Sequence, residues 1–233
     1  MKAAQFLAIA ALVTCGTIFM TSCYREDNNY PNNSANNYNS NPRGYTKDST
    51  YTASNPYVFD EEFNGPDYHN WTFTDSTDSA YAGIINGSYE YVDYSTTYSN
   101  MSVVNTGASV TNNFTVSTRI KSNKIMGLLF GGSFTDNGYA FYIDTAGNYS
   151  LYKEGIGTAA STVIIPSTQD SLYSIKNNWN VLELDQTGGN WTGFINGTQV
   201  FQMSARTMTG ANCGFKVLPG TTGFADYLVV KSY

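Results

Sequence analysis

The stretch Asn178–Phe201, NWNVLELDQTGGNWTGFINGTQVF, decides the fold. Leu182 and Leu184 alternate with Val181, Glu183 and Asp185, and a period of two gives a strand one buried face. A tight turn at Gly188-Gly189-Asn190 sends the chain back, and a second turn follows at Asn196-Gly197. Asn-Gly tolerates positive φ at both central positions of a type I′ turn, whose backbone matches the right-handed twist of a hairpin. Two consecutive hairpin turns make a meander, so the surrounding domain is expected to be stacked antiparallel sheet.

Composition points the same way. Tyr (19), Phe (13) and Gly (21) are abundant beside many Thr, Ser and Asn, while only 13% of residues are charged. β-branched and aromatic side chains suit a pleated, half-buried surface, and Gly and Asn supply turns. After residue 22 no stretch keeps a helical period for more than two turns. Residues 56–233 form a segment long enough to bury roughly 70% of its unfolded surface without covalent staples. From Cys23 onward there are 18 acids and 11 bases, the chain's twelve less Lys2. With no basic cluster, nucleic acid is excluded as a partner, because phosphate neutralisation needs grouped Lys and Arg. Cys15 and Cys23 belong to the front of the chain, which leaves Cys213 alone in the domain, where no intramolecular disulfide is possible.

Residues 1–22 have one early Lys, an apolar run and a small residue before Cys23, the plan of an export signal. Met20-Thr21-Ser22-Cys23 resembles a bacterial lipobox, with Met20 where Leu is usual. The resemblance implies cleavage before Cys23 and lipidation of its thiol, hence an outer-membrane lipoprotein facing the periplasm or the cell surface. Acyl chains contribute about 0.8 kcal/mol per buried CH₂, so several of them anchor a protein without a transmembrane helix. Tyr24-Arg25-Glu26-Asp27 is similar to the surface-export signal of Bacteroidetes lipoproteins, and reads equally as a polar start to a linker. Residues 24–55 contain no Val, Leu, Ile, Met, Phe or Trp. Such a segment cannot offset the entropy of ordering. Residues 23–55 are therefore expected to be a tether with a reach of roughly 30 Å.

Within the domain the alternation of Phe114, Val116 and Ile120 marks a half-buried strand. Met126–Gly132, apolar on both faces, reads as a central strand. About 13 short strands are expected, with turns every 8–12 residues, the pattern of a two-sheet sandwich or barrel. Phe59-Asp60-Glu61-Glu62-Phe63-Asn64-Gly65 with Trp71, and Ala225-Asp226-Tyr227-Leu228-Val229-Val230, resemble the first and last strands of family-16 glycoside hydrolases. The middle of the domain, with Gly127-Leu128-Leu129-Phe130 and Ile195-Asn196-Gly197, is similar to laminin-G-like and 3-keto-disaccharide hydrolase members of the same concanavalin A-like superfamily. The resemblance implies an all-β, two-sheet antiparallel jelly roll over residues 56–233. It specifies fold more than function.

A retaining glycosidase holds two carboxyl groups about 5–5.5 Å apart. Family-16 enzymes place theirs on one strand as Glu-x-Asp-x-(x)-Glu, and no such run occurs here. Glu183 and Asp185 keep two members of it, late in the fold, and read as a solvated face. His69 is read as a surface-loop residue and Cys213 as a buried small hydrophobe. No catalytic residue is assigned. The resemblance implies a structural calcium joining first and last strands, with Glu62 and Asp226 at the matching positions. For sugar, aromatic faces are the natural platforms. Trp191, beside the Gly-Gly-Asn turn, is expected to be the most exposed, with Trp179, Tyr142 and Tyr152 as further candidates and Trp71 in the core. The leading expectation is a non-catalytic carbohydrate-binding module that takes a glycan. The alternatives are a hydrolase of the 3-keto-disaccharide or laminarinase-like class with a divergent site, and a structural or adhesive surface domain that contacts protein.

Overall fold

A computed structural model describes residues 57–75, 80–95, 101–109, 111–156, 159–170, 175–176 and 178–233. The export signal, Cys23 and the tether lie outside these described residues. Among the described residues fifteen strands follow in order. The first five are β1 (Tyr57–Glu61), β2 (Phe73–Asp75), β3 (Ala80–Ile85), β4 (Ser88–Asp93) and β5 (Met101–Asn105). The next five are β6 (Phe114–Ser122), β7 (Ile125–Gly132), β8 (Tyr139–Asp144), β9 (Asn148–Lys153) and β10 (Thr162–Gln169). Then come β11 (Asn180–Thr187), β12 (Asn190–Ile195), β13 (Thr198–Ser204), β14 (Asn212–Val217) and β15 (Thr221–Ser232).

The strands make two antiparallel sheets stacked as a jelly-roll sandwich. One has nine strands in the order β13-β12-β11-β6-β15-β4-β3-β2, with β1 also on β15. The other has six, β10-β9-β8-β7-β14-β5. The meander is the register-setting piece of the larger sheet. Thr187 pairs with Asn190 around Gly188-Gly189, and Ile195 pairs with Thr198 around Asn196-Gly197. All four turn residues have positive φ, from 50° to 80°, as a type I′ connection requires. Asn86-Gly87 repeats the device between β3 and β4, at φ 53° and 75°.

Between the sheets lies one apolar core. Leu182, Leu184, Val116, Ile120 and Trp191 from the larger sheet meet Met126, Leu128, Phe130, Phe141 and Phe215 from the smaller. Trp71 is 1% exposed and packs edge-on to Phe63 at 5.3 Å, so it is core as expected. Cys213 is buried too, and burial pushes its thiol up to about 11, which suits packing and not nucleophilic chemistry.

The described residues make fifteen strands, against about 13 expected. β5 rises from a Tyr- and Ser-rich stretch in which strands are hard to place from pattern, and β2 is only three residues long. β7 is interior to the six-stranded sheet, as its two-sided apolarity predicts.

Candidate functional site

The outer face of the six-stranded sheet is unusual because it is apolar. A second cluster of Leu129, Ala140 and Tyr142 lies there, away from the main core, with Met101, Val103, Ile125, Tyr152 and Leu218 packed against it. Leu129 and Ala140 are 1% and 0% exposed although they point away from the sandwich interior. This face carries a cavity of about 300 Å³ lined by Tyr142, Tyr152, Ser150, Ser161, Glu154 and Lys216, among others.

The polar heart of the cavity is Glu154, immediately after β9. It is 3% exposed, and Lys216 in mid-β14 is 8% exposed. The Lys216 ammonium donates to Glu154 Oε2. Ser161 Oγ donates to the same oxygen at 2.8 Å, and the Tyr142 hydroxyl donates to Oε1 at 2.8 Å. Burial, then the neighbouring Glu154 charge, holds the Tyr142 phenol well above its ordinary value, so it remains a donor. Taking two charges out of water is offset only where geometry is good and the remaining lone pairs are satisfied. Here one ammonium and two hydroxyls meet that condition, and the pair is electrically neutral overall.

Gly127 makes room for this arrangement. It pairs with both Tyr142 and Lys216, and a Cβ added there would lie 2.5 Å from Tyr142 Cδ1. The missing side chain lets the tyrosine ring lie across β7. Tyr152, half-buried, meets Tyr142 edge-on at 5.9 Å and 78°. Thus two of the aromatic candidates named from sequence come together in one cavity.

The other two do not join them. Trp191 is fully buried: its indole N–H donates to Gln186 Oε1 at 2.8 Å, and its ring packs edge-on to Tyr139 at 4.7 Å and Phe130 at 5.2 Å. The expectation of an exposed Trp191 is corrected by register. Gln186 shares the core-facing parity of Leu182 and Leu184, and Trp191 is its cross-strand partner. Trp179 is half-buried on the opposite sheet, where Arg119 and Lys121 lie 5.2 and 4.7 Å from its ring centre.

The two carboxylates named for calcium each hold a partner of their own. Asp226 is the extra residue of a bulge between Ala225 and Tyr227, and it pairs with Arg119 at 2.7 Å. Glu62 accepts from Asn64 Nδ2 at 3.4 Å. Among the described residues no three His, Cys, Asp or Glu side chains converge. His69 is not a free loop residue. It bonds Glu61 Oε2 at 2.7 Å, and Glu61 also accepts from Trp71 Nε1 at 3.2 Å and the Phe63 N–H at 3.0 Å. This network fastens the loop after β1, where Phe63 and Asn70 hold φ of 51° and 55°.

Sequence reading missed Glu154 and Lys216. The signal for Lys216 was present: it is the one charged residue in Asn212–Val217, a strand buried at every position. Glu154 shares the parity of Ser150 and Tyr152 on β9, but its burial depends on contacts from β8 and β14 that alternation cannot reveal.

The cavity holds a second carboxylate, Asp144, at the other end of the β8–β9 hairpin. Asp144 pairs across the turn with Asn148, whereas Glu154 follows Lys153, six residues further on, so their backbones are roughly 20 Å apart along the strand. Asp144 Oδ1 accepts the N–H groups of Ala146 and Asn148 at 2.9 and 2.8 Å, and Oδ2 accepts Asn148 Nδ2 at 2.8 Å. It is a turn residue.

No protein-family model and no curated protein sequence matches the chain. Among solved structures it is similar to the carbohydrate-binding module CBM66 from Bacillus subtilis, with 16% identity and a TM-score of 0.43 over 70% of this chain and 92% of that one. A Bacillus licheniformis beta-glucanase shows 8% identity and a TM-score of 0.47, over 75% and 98% of the two chains. A laminarinase from Flavobacterium sp. UMI-01 shows 15% identity and a TM-score of 0.47, over 76% and 100%.

Proposed function

We propose that this chain is a surface lipoprotein whose sandwich binds a neutral glycan without cleaving it, in the cavity on the outer face of the six-stranded sheet. The observation that carries the reading is the pairing of aromatic rings with a neutralised ion pair. Tyr142 and Tyr152 offer apolar surface for the C–H face of a pyranose. Lys216, Ser150 and Ser161 offer donors and acceptors for its hydroxyls. A few placed polar groups in a mostly apolar cleft are the usual make-up of a small-molecule site. Because Glu154 and Lys216 cancel each other, the cavity favours an uncharged ligand.

Hydrolysis has less support. A glycosidase places its two carboxyl groups about 5–5.5 Å apart, or 6.5–9.5 Å when inverting. Glu154 already accepts from three donors and Asp144 is bound into a turn at the far end of the hairpin. Anchoring through Cys23 rests on the Met20–Cys23 motif alone.

A glycan array with the purified protein, followed by product analysis on each hit, tests the reading. Retention without cleavage is expected, and Tyr152→Ala is expected to weaken it about tenfold, the equivalent of 1.4 kcal/mol, with folding intact. Cleaved product, or unchanged retention by Tyr152→Ala, would sink it.

A further inference from the structure

The outer face of the nine-stranded sheet carries an unneutralised cation in a made setting. Lys121 on β6 pairs with Phe224 on β15, and the neighbouring pair Asn180–Ile120 brings Trp179 alongside on the other flank. The Lys121 ammonium lies 4.7 Å from the Trp179 ring centre and 4.7 Å from that of Phe224. Aromatic faces attract and position a cation, yet they carry no net charge to cancel it. Among the described residues Lys121 forms no ion pair. The adjacent Asp226 is engaged by Arg119, and Glu90 lies beyond the Phe224 strand, beside Tyr81.

Lys121 opens onto a groove of about 300 Å³ that it shares with Ser122, Asn123, Asn178, Thr222 and Phe224. No carboxylate lines it. Asn123 is fixed there because its Oδ1 accepts the Thr222 N–H at 2.8 Å, which leaves its amide N–H₂ as the end that can donate to a ligand. One clamped ammonium, neutral amides and hydroxyls, and an aromatic wall together match a sugar carrying an acidic group.

We propose that this groove is a second saccharide subsite, selective for a negatively charged group on a polysaccharide, either a carboxylate or a sulfate ester. The chain's net charge of −6 argues for a local site, since the molecule as a whole repels polyanions. The subsite lies on the sheet opposite the tyrosine-lined cavity and stands whether or not that cavity binds sugar.

The test is affinity electrophoresis of the purified protein through gels containing polygalacturonate, dextran sulfate or plain dextran. Retardation by at least one of the charged polymers, falling as salt is raised, is the expected result, and the polymer that retards identifies the acidic group. A charge-assisted hydrogen bond is worth roughly ten- to a hundredfold in affinity. Lys121→Met, which keeps the aliphatic stem, should therefore lose about tenfold or more, and Lys121→Arg should retain binding. Tyr152→Ala should be retarded like the wild type. Absence of retardation by both charged polymers, equal retardation of Lys121→Met, or retardation by the charged polymers that Tyr152→Ala abolishes would overturn the proposal.

Discussion

Each sheet carries an ion pair directed away from the core, and the two pairs live in different solvents. Lys216 and Glu154 on the six-stranded sheet have side chains 10% and 2% exposed. Arg119 and Asp226 on the nine-stranded sheet are 43% and 31% exposed. The first pair lines a cavity with two tyrosines, on a sheet face that also buries Leu129 and Ala140, and its charges cancel there. The second sits among cation–aromatic contacts in water, and its neighbour Lys121 is left positive. Sandwich geometry thus gives one domain two unlike surfaces. A neutral ligand suits the face where charge is buried and matched, and an acidic one suits the face where charge is exposed and unmatched.

The largest effect is expected at the buried pair. Lys216→Ala leaves Glu154 as an uncompensated charge, a change that costs about 3–5 kcal/mol when a buried ion pair is broken on one side. Urea unfolding monitored by tryptophan fluorescence measures it. The double variant Glu154→Gln/Lys216→Met should recover most of that loss, since replacing both members of a buried pair is often close to neutral. A single-variant loss below about 1 kcal/mol would mean that water reaches the pair and that the two faces are alike. Asp226→Asn supplies the contrast. An exposed pair contributes about 0.2–1 kcal/mol, so this variant should unfold at nearly the wild-type urea concentration.

Much of this architecture was legible in the chain. The parity of Leu182, Leu184 and Gln186, with a two-residue Gly-Gly turn, determines that position 191 faces the core. Applied strictly, the rule would have placed Trp191 there, and proximity to a turn misled because exposure ends at Asn190, the first residue of β12, and alternation turns Trp191, the second, inward. Alternation also put Tyr142 opposite Phe141 and Ile143, on the face where it is found. What alternation could not supply was lateral information. Glu154 meets Lys216 from 62 residues away, and Asp226 meets Arg119 because a bulge in β15 turns it toward β6. Ion pairs across strands depend on sheet order, and order was not readable from local pattern. The meander identified an antiparallel stack without saying that β14 lies beside β7.

The smallest expected effect concerns Glu183, which pairs across strands with Ser117 on the outer face of the nine-stranded sheet. Burial, and secondarily the Asp185 charge two residues on, raises its carboxyl above the usual range, with Lys231 acting weakly in the opposite sense. A carboxyl raised on folding binds its proton more readily in the native state. The stability it contributes is therefore full below the unfolded value and is lost as pH rises through the raised native one. At neutral pH ionised Glu183 is a mild liability, discounted because the group is about half in water and screened. Glu183→Gln removes the liability without changing shape. It should raise the melting temperature by about 1 °C near pH 7, the scale of a few tenths of a kcal/mol in a domain of this size, and by nothing near pH 4. An equal rise at both pH values would trace the gain to packing and not to charge.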